Sequence, residues 1–258
     1  MARLFIFGLG YSAKRIVDRL EGWTTEGTGR EGGIAFEEDD AVRRSLAGAT
    51  HVLSSVPPGE GGDPVLARYG DALGQAWLGY LSSTGVYGDT GGAWVDEASP
   101  LAGFGAGGRR TARAEADRAW LARGARVFRL PGIYGPGRSP LDRVREGTAH
   151  RIDLPGHVFS RVHVDDIAQG VTKGTNAPPG AYNLADDLPA SANAVTEEAC
   201  RLLGLEPPPL QTLEEANLSP LARGFYAENR RIANGKAKRV LGWQPRYPTY
   251  REGLRALL

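Results

Sequence analysis

The chain predicts an α/β fold, a doubly wound parallel sheet followed by a small C-terminal domain. Three observations carry that prediction. A glycine-rich turn joins an apolar run to a helical pattern within the first twenty residues, apolar runs and helical patterns alternate as far as Leu130, and three prolines in succession after Glu206 break the C-terminal third. With 258 residues, 41% of them hydrophobic, the chain can bury a substantial core.

Arg3 to Phe7 reads as a strand, and Gly8, Leu9, Gly10, Tyr11, Ser12 and Ala13 lead into a helix through Ile16, Val17 and Leu20. Gly8 permits a tight turn, Gly10 lets a phosphate approach the backbone, and small Ala13 lets the helix pack on the strand. Amides at the helix start suit an anion, so the segment reads as a dinucleotide cradle. Trp23 to Thr28 reads as the second strand and closes at Gly29-Arg30, without an acidic residue at the tip to bond a ribose hydroxyl. Glu26 falls earlier, inside the strand. A guanidinium at Arg30 suits a 2'-phosphate and favours NADP, with NAD the alternative.

Further along, Gly33 to Phe36 reads as extended, Asp40 to Leu46 as helix, and Thr50 to Val56 as a strand ending at Pro57-Pro58-Gly59. A helix over Pro64 to Leu73, a strand over Trp77 to Ser82, a helix over Arg109 to Arg123 and a strand over Arg126 to Leu130 follow. Ligands of such sheets collect at the carboxyl ends of the strands, so Gly8, Arg30, Ser54, Ser55, Ser82 and Ser83 share one crevice. The glycine-rich stretch from Gly88 to Gly108 reads as a mobile loop beside it. Near the end, Leu213 to Gly224 and Asn234 to Leu241 read as helices.

Composition narrows the partners. A net charge of +1 argues against nucleic acid and against an acidic membrane surface, which leaves a small molecule. The single cysteine, Cys200, lies in an apolar helical pattern and reads as a buried thiol, and four scattered histidines with no CxxC or HExxH predict no metal. The glycine-broken N-terminus has the length of neither a signal peptide nor a membrane span, and a cytoplasmic protein is expected.

Six segments in order, GLGYSA, LSSTGVYGD from Leu81, RLPGIYGPGR from Arg129, RVHVDDIAQG from Arg161, AYNLADD from Ala181 and ANGKAKRVLGWQP from Ala233, resemble the extended short-chain dehydrogenase/reductase family, the NAD-dependent epimerase/dehydratases. The resemblance spans nearly the whole chain and is greatest to the atypical branch, whose members lack the usual Tyr/Lys pair. It implies a Rossmann domain over residues 1–133, completed by 161–184, with 134–160 and 185–258 forming a small substrate-binding domain. A homodimer is compatible with it.

The resemblance also implies site residues. Ser83, or its neighbour Thr84, takes the place of the hydroxyl that bonds the reacting carbonyl or alcohol. The helix RTARAEADRAW then puts Arg109 where the family has its tyrosine, Arg113 where it has its lysine, and Asp117 at the acidic position. Arginine cannot carry the tyrosine's proton, so these two residues are expected to bind the ribose or an anionic substrate, or else to form a solvated helix face. Tyr87 and Tyr134 border the family's substrate pocket and are the alternative acids; Arg138, His157 and Arg161 are expected near the substrate. Ser54, Ser55, Val56 and Pro57 would face the adenosine, Gly132 and Ile133 the nicotinamide, and Glu37 to Asp40 the adenine or solvent. His163 reads as structural, with Asp165 and Asp166 capping the next helix, and Trp243 as core of the small domain. Two functions follow: an NADP-dependent oxidoreductase or epimerase-like enzyme on a small polar substrate, an anionic one included, or a dinucleotide-binding sensor or scaffold without catalysis.

Overall fold

The computed structural model describes residues 1–30, 32–102 and 108–258, apart from the side chains of Arg109, Arg110 and Leu221. In chain order the elements are β1 (Arg3–Phe7), α1 (Tyr11–Val17), β2 (Thr24–Thr28), β3 (Gly33–Ile34), α2 (Asp39–Gly48), β4 (His51–Ser54), α3 (Pro64–Tyr69), β5 (Trp77–Ser83), β6 (Trp94–Val95), α4 (Gly108–Ala122), β7 (Arg126–Leu130) and β8 (Gly132–Tyr134). There follow α5 (Pro140–Arg145), β9 (Arg151–Ile152), β10 (Arg161–His163), α6 (Val164–Gly174), β11 (Gly180–Asn183), α7 (Ala192–Leu203), β12 (Leu210–Gln211), α8 (Pro220–Phe225), β13 (Arg231–Ile232), α9 (Gly235–Leu241) and α10 (Tyr250–Arg255).

The central sheet has seven parallel strands in the order β11-β7-β5-β4-β1-β2-β3. This is the doubly wound Rossmann order, with its switch point between β1 and β4. Successive strand residues point to opposite faces, so β1 feeds two cores at once. Phe5 and Phe7 pack with Val42 of α2, Tyr69 of α3 and Trp120 of α4, whereas Leu4 and Ile6 pack with Ile16 of α1, Ile167 of α6 and Trp243.

After β8 the chain leaves the sheet, and β10 brings it back by pairing with β8. From there α6 packs against α1, and β11 extends the sheet beside β7. A smaller core of Leu141, Val195, Ala199, Tyr250 and Leu254 joins α5, α7 and α10. Trp243 departs from the expectation of a small-domain core. It lies fully buried on the main sheet, where its indole donates to the Asp166 carbonyl at 3.0 Å.

Other expectations are shortened. The helix expected over Leu213 to Gly224 is only α8, because Asn217 takes φ +44 and Ser219 caps a new start at Pro220. The strand over Thr50 to Val56 ends at Ser54, just before the two prolines. Of the loop expected to be mobile, residues 103–107 lie outside the described residues. Among the described residues no helix is long and apolar enough to cross a membrane.

Candidate functional site

The glycine turn forms between β1 and α1, at the place its spacing predicts. Gly8 has φ +81, and a Cβ there would stand 2.9 Å from Ser55 Oγ and 3.1 Å from Val56 Cγ2, so the turn requires glycine. The amides of Gly8 and Leu9 donate to Thr28 Oγ1 and O at 3.1 and 2.8 Å, and Ser55 Oγ donates to the Gly8 carbonyl. Gly10 precedes α1, and a Cβ on it would meet nothing nearer than the Gly8 carbonyl at 4.0 Å. That open space faces the cavity.

A cavity of about 960 Å³ begins at Gly10, Tyr11, Ser12 and Ala13 and passes Ser55 and Pro57. It continues over the ends of β5 and β7 at Ser82, Ser83, Pro131, Gly132 and Ile133, and reaches Tyr134, Arg138 and Arg161 beyond the sheet. A lobe of about 470 Å³ adjoins it around Ser83, Thr84, Gly85, Arg113 and Gly132. Ser83, Thr84, Arg113, Gly132, Ile133, Tyr134, Arg138 and Arg161 are thus brought to one cleft. Tyr11 lines the cavity, its hydroxyl donating to the Pro136 carbonyl at 3.1 Å and its ring beneath Arg138.

The two serines at the end of β5 differ in their bonding. Ser82 Oγ donates to Asp117 Oδ2 at 2.7 Å, and Asp117 also receives Arg129 through Nε and the terminal nitrogen at 3.0 and 2.8 Å. Arg129 continues to the Tyr87 hydroxyl at 2.9 Å, which donates to Asn183 Oδ1 at 2.8 Å. Every member of this chain is buried. Ser83 Oγ only accepts, from the Gly85 amide at 3.1 Å, so its own proton remains available to the cavity.

Several expected contacts are not made. Tyr87 does not reach the cleft, because the Arg129 and Asn183 bonds hold its hydroxyl in the core and burial pushes its pKa up to about 12. His157 is buried behind the wall, its ring against Phe159 and Tyr226 at 4.7 and 5.9 Å, and burial lowers its pKa. Leu9 packs into the core, Val56 packs on the opposite core, and the Ser54 hydroxyl is buried, so none presents its side chain to the cavity. Asp165 and Asp166 do not cap α6. His163 does so through Nδ1, which accepts from the Asp165 amide at 3.2 Å, while Asp166 accepts from the amides of Arg246 and Tyr247 at 2.6 and 3.1 Å. Burial pushes the His163 pKa down to about 4 and the Asp166 pKa up to about 6. Asp39 is taken by Arg68 and Tyr69.

Arg30 is exposed at the tip of β2, outside the cavity wall, and has no ion-pair partner among the described residues. The Arg109 side chain lies outside the described residues. Arg113 half-emerges from α4 into both lobes. Nearby Tyr80 and Tyr134 have buried, unbonded hydroxyls, and burial raises both pKa values, with the Arg113 charge opposing the rise at Tyr80. Sequence reasoning missed Arg143, Phe159, Phe225 and Tyr226 on the cavity wall. They come from separate loops and short helices and carry no motif. Arg129, next to the Leu130-Pro131 strand end, had the signal of a charge set between apolar Phe128 and Leu130 in a strand.

No family model matches the chain. A solved structure of a functionally unknown conserved protein from Silicibacter pomeroyi DSS has 42% sequence identity and a TM-score of 0.87, covering 100% of this chain and 98% of that one. The chain belongs to the same family as that protein. The human epimerase family protein solved with NADPH has a TM-score of 0.77 at 16% identity, covering 99% of this chain and 98% of that one, which is likeness of fold. Other solved neighbours of this fold include a dTDP-glucose 4,6-dehydratase from Bacillus anthracis and a UDP-glucose 4-epimerase from Thermus thermophilus, each in complex with NAD. A 3-diazoavenalumate denitrifying reductase from Streptomyces sp. is 33% identical over 143 residues, 50% of this chain and 45% of that protein. The chain spans about half the length of the curated relatives it matches.

Proposed function

We propose that the protein is a nicotinamide-dependent oxidoreductase, preferring NADP, that acts on a small polar substrate in the cleft above β5. The observation that carries this reading is a dinucleotide-type cradle and a proton-bearing Ser83 hydroxyl opening on the same cavity. The residues fit the cofactor, since Gly10 leaves free the space that a Cβ would fill and the cavity runs from there to the strand ends. The segment Gly8 to Ala13 with Ser55 and Pro57 would hold its pyrophosphate side, Gly132 and Ile133 its nicotinamide, and Arg30 a 2'-phosphate. When bound, the nicotinamide supplies or accepts a hydride.

This chain's residues do the rest. Ser83, oriented by the Gly85 amide, donates a hydrogen bond to the oxygen of a reacting carbonyl and keeps its own proton; the proton that the reduced oxygen takes up comes from solvent in the open cleft. Arg113 faces the same space and stabilises negative charge there, but it does not move a proton at working pH. The human neighbour solved with NADPH and the Streptomyces reductase support the cofactor and the reaction class. A second reading, a dinucleotide-binding protein without catalysis, is favoured by one observation: α4 carries no tyrosine, and burial keeps the phenols of Tyr80, Tyr87 and Tyr134 protonated.

Calorimetric titration with NADPH and NADH side by side tests the cofactor. NADPH should bind more tightly, and Arg30→Ala should remove the difference; equal binding in the native protein would overturn the preference. A panel of carbonyl compounds followed by NADPH absorbance tests the chemistry. Turnover lost in Ser83→Ala supports the enzyme, whereas tight NADPH binding without turnover of any compound favours the sensor.

A further inference from the structure

The smaller lobe beside Ser83 has a composition that selects among substrates. Its described ionisable side chains are Arg113, Glu228 and Arg230. Arg230 is already committed, donating to Glu228 and to the Gly88 carbonyl at 2.8 Å, so this pair is internally neutral and fixed against the wall. Arg113 has no acidic partner among the described residues, and the acid one turn further along α4, Asp117, is saturated by Arg129 and Ser82. Among its described side chains, the lobe therefore presents Arg113 as a guanidinium without an acidic partner.

Around that charge the walls are apolar. Val158, Phe159, Phe225 and Ile232 line the lobe, and Phe225 is 61% exposed on α8 at its rim. The hydroxyls are few and partly used, since Ser160 accepts from the Ile232 amide at 3.0 Å and Ser83 from Gly85. A ligand rich in hydroxyls would leave many of them unbonded against these walls, at a desolvation cost. Among the lobe's described side chains, the Arg113 guanidinium by itself would leave much of a diphosphate's charge unbalanced. The lobe's volume of about 470 Å³ leaves room for a ring-bearing body.

We infer that this lobe receives a substrate built from an apolar, ring-sized body and a single carboxylate, with Arg113 anchoring the carboxylate and Phe159 and Phe225 flanking the body. The inference rests on the proposed function only in taking the lobe beside Ser83 as the substrate's place. Arg113 is then a specificity-determining residue: it pairs with the carboxylate and orients the body along the aromatic walls towards Ser83. Charge-assisted pairing of this kind is strong and geometrically selective for Arg over a neutral donor.

The test is calorimetric titration of the whole protein, with and without saturating NADPH, using 3-phenylpropionate, 3-phenylpropanamide, propionate and UDP-glucose as probes. 3-Phenylpropionate should bind at least tenfold more tightly than the amide, which lacks the charge, and than propionate, which lacks the ring. Arg113→Gln should erase the difference between acid and amide, and Arg113→Lys should restore part of it. Phe225→Ala, on an exposed helix, should weaken both phenyl probes at least threefold. Equal affinity for acid and amide, tightest binding by UDP-glucose, discrimination surviving in Arg113→Gln, or no binding of any probe would each overturn the inference. NADPH binding, read in the same protein, reports the cofactor reading separately. Its loss with probe binding intact sinks the oxidoreductase and keeps the lobe.

Discussion

Ser82 and Ser83 are neighbours at the end of β5, and both reach the large cavity, yet they belong to different kinds of site. Ser82 enters a closed chain, Asp117 to Arg129 to Tyr87 to Asn183, in which each donor has found an acceptor inside the protein. Ser83 keeps its own proton, and Arg113 has no acidic partner among the described residues. A saturated polar network is held by the fold and holds it in return, while an unsaturated one is available to a ligand. The lesson concerns residue type: a serine, an arginine and a tyrosine occur on both sides of this line, and only their partners tell them apart.

The closed chain is most vulnerable at Asp117. Removing its carboxylate leaves the Arg129 charge buried and unpaired, so Asp117→Ala should lower stability by about 3–5 kcal/mol in urea unfolding. A variant as stable as the parent would mean that the network carries no structural weight. Asp186 sharpens the contrast, because it is buried like Asp117 but one of its carboxylate oxygens has no hydrogen-bond partner. Burial pushes its pKa up to about 7 from an ordinary 3.8, with Arg161 opposing. The folded chain then keeps a proton that the unfolded chain releases. Stability is full below pH 3.8, falls as pH rises, and reaches its floor above pH 7. Thermal unfolding from pH 5 to 8 should show the part of that decline between pH 5 and 7, about 2.7 kcal/mol, and Asp186→Asn should remove this contribution.

Smaller effects fall on the ligand side. Gly8→Ala forces a side chain into φ +81 against Ser55 Oγ and should cost about 1–3 kcal/mol, with dinucleotide affinity lost as the turn shifts. Ser83→Ala removes only the bond to the Gly85 amide and should cost about 0.5–1 kcal/mol by unfolding, while turnover drops about 100-fold. The contrast between the serines is lost if Ser83→Ala destabilises as much as Asp117→Ala.

How much of this was legible in the chain depends on the range over which each feature is set. The Gly8 to Ala13 turn was readable because strand, glycines and helix are contiguous, and the geometry they need is local. The strand-end crevice was readable too, because alternation implies a parallel sheet and a parallel sheet collects its strand ends. Tyr87 and His157 were misjudged for a reason local patterns do not contain. Tyr87 turns inward to Arg129, 42 residues away, and His157 turns to Tyr226, which the sequence puts far along the chain. Trp243 likewise joined the main core because α9 packs on α6 and β11.

By itself, then, the sequence determined the doubly wound sheet, the position of the phosphate-type turn and the absence of a tyrosine from α4. These follow from periodicity, glycine spacing and composition, which act over a few residues. Tertiary structure decided which serine is spent and which is free, which tyrosines are sealed, and that Arg113, without an acidic partner among the described residues, stands beside Phe159 and Phe225. Burial and hydrogen-bond satisfaction are properties of side chains brought together from distant elements, and no stretch of sequence contains both partners.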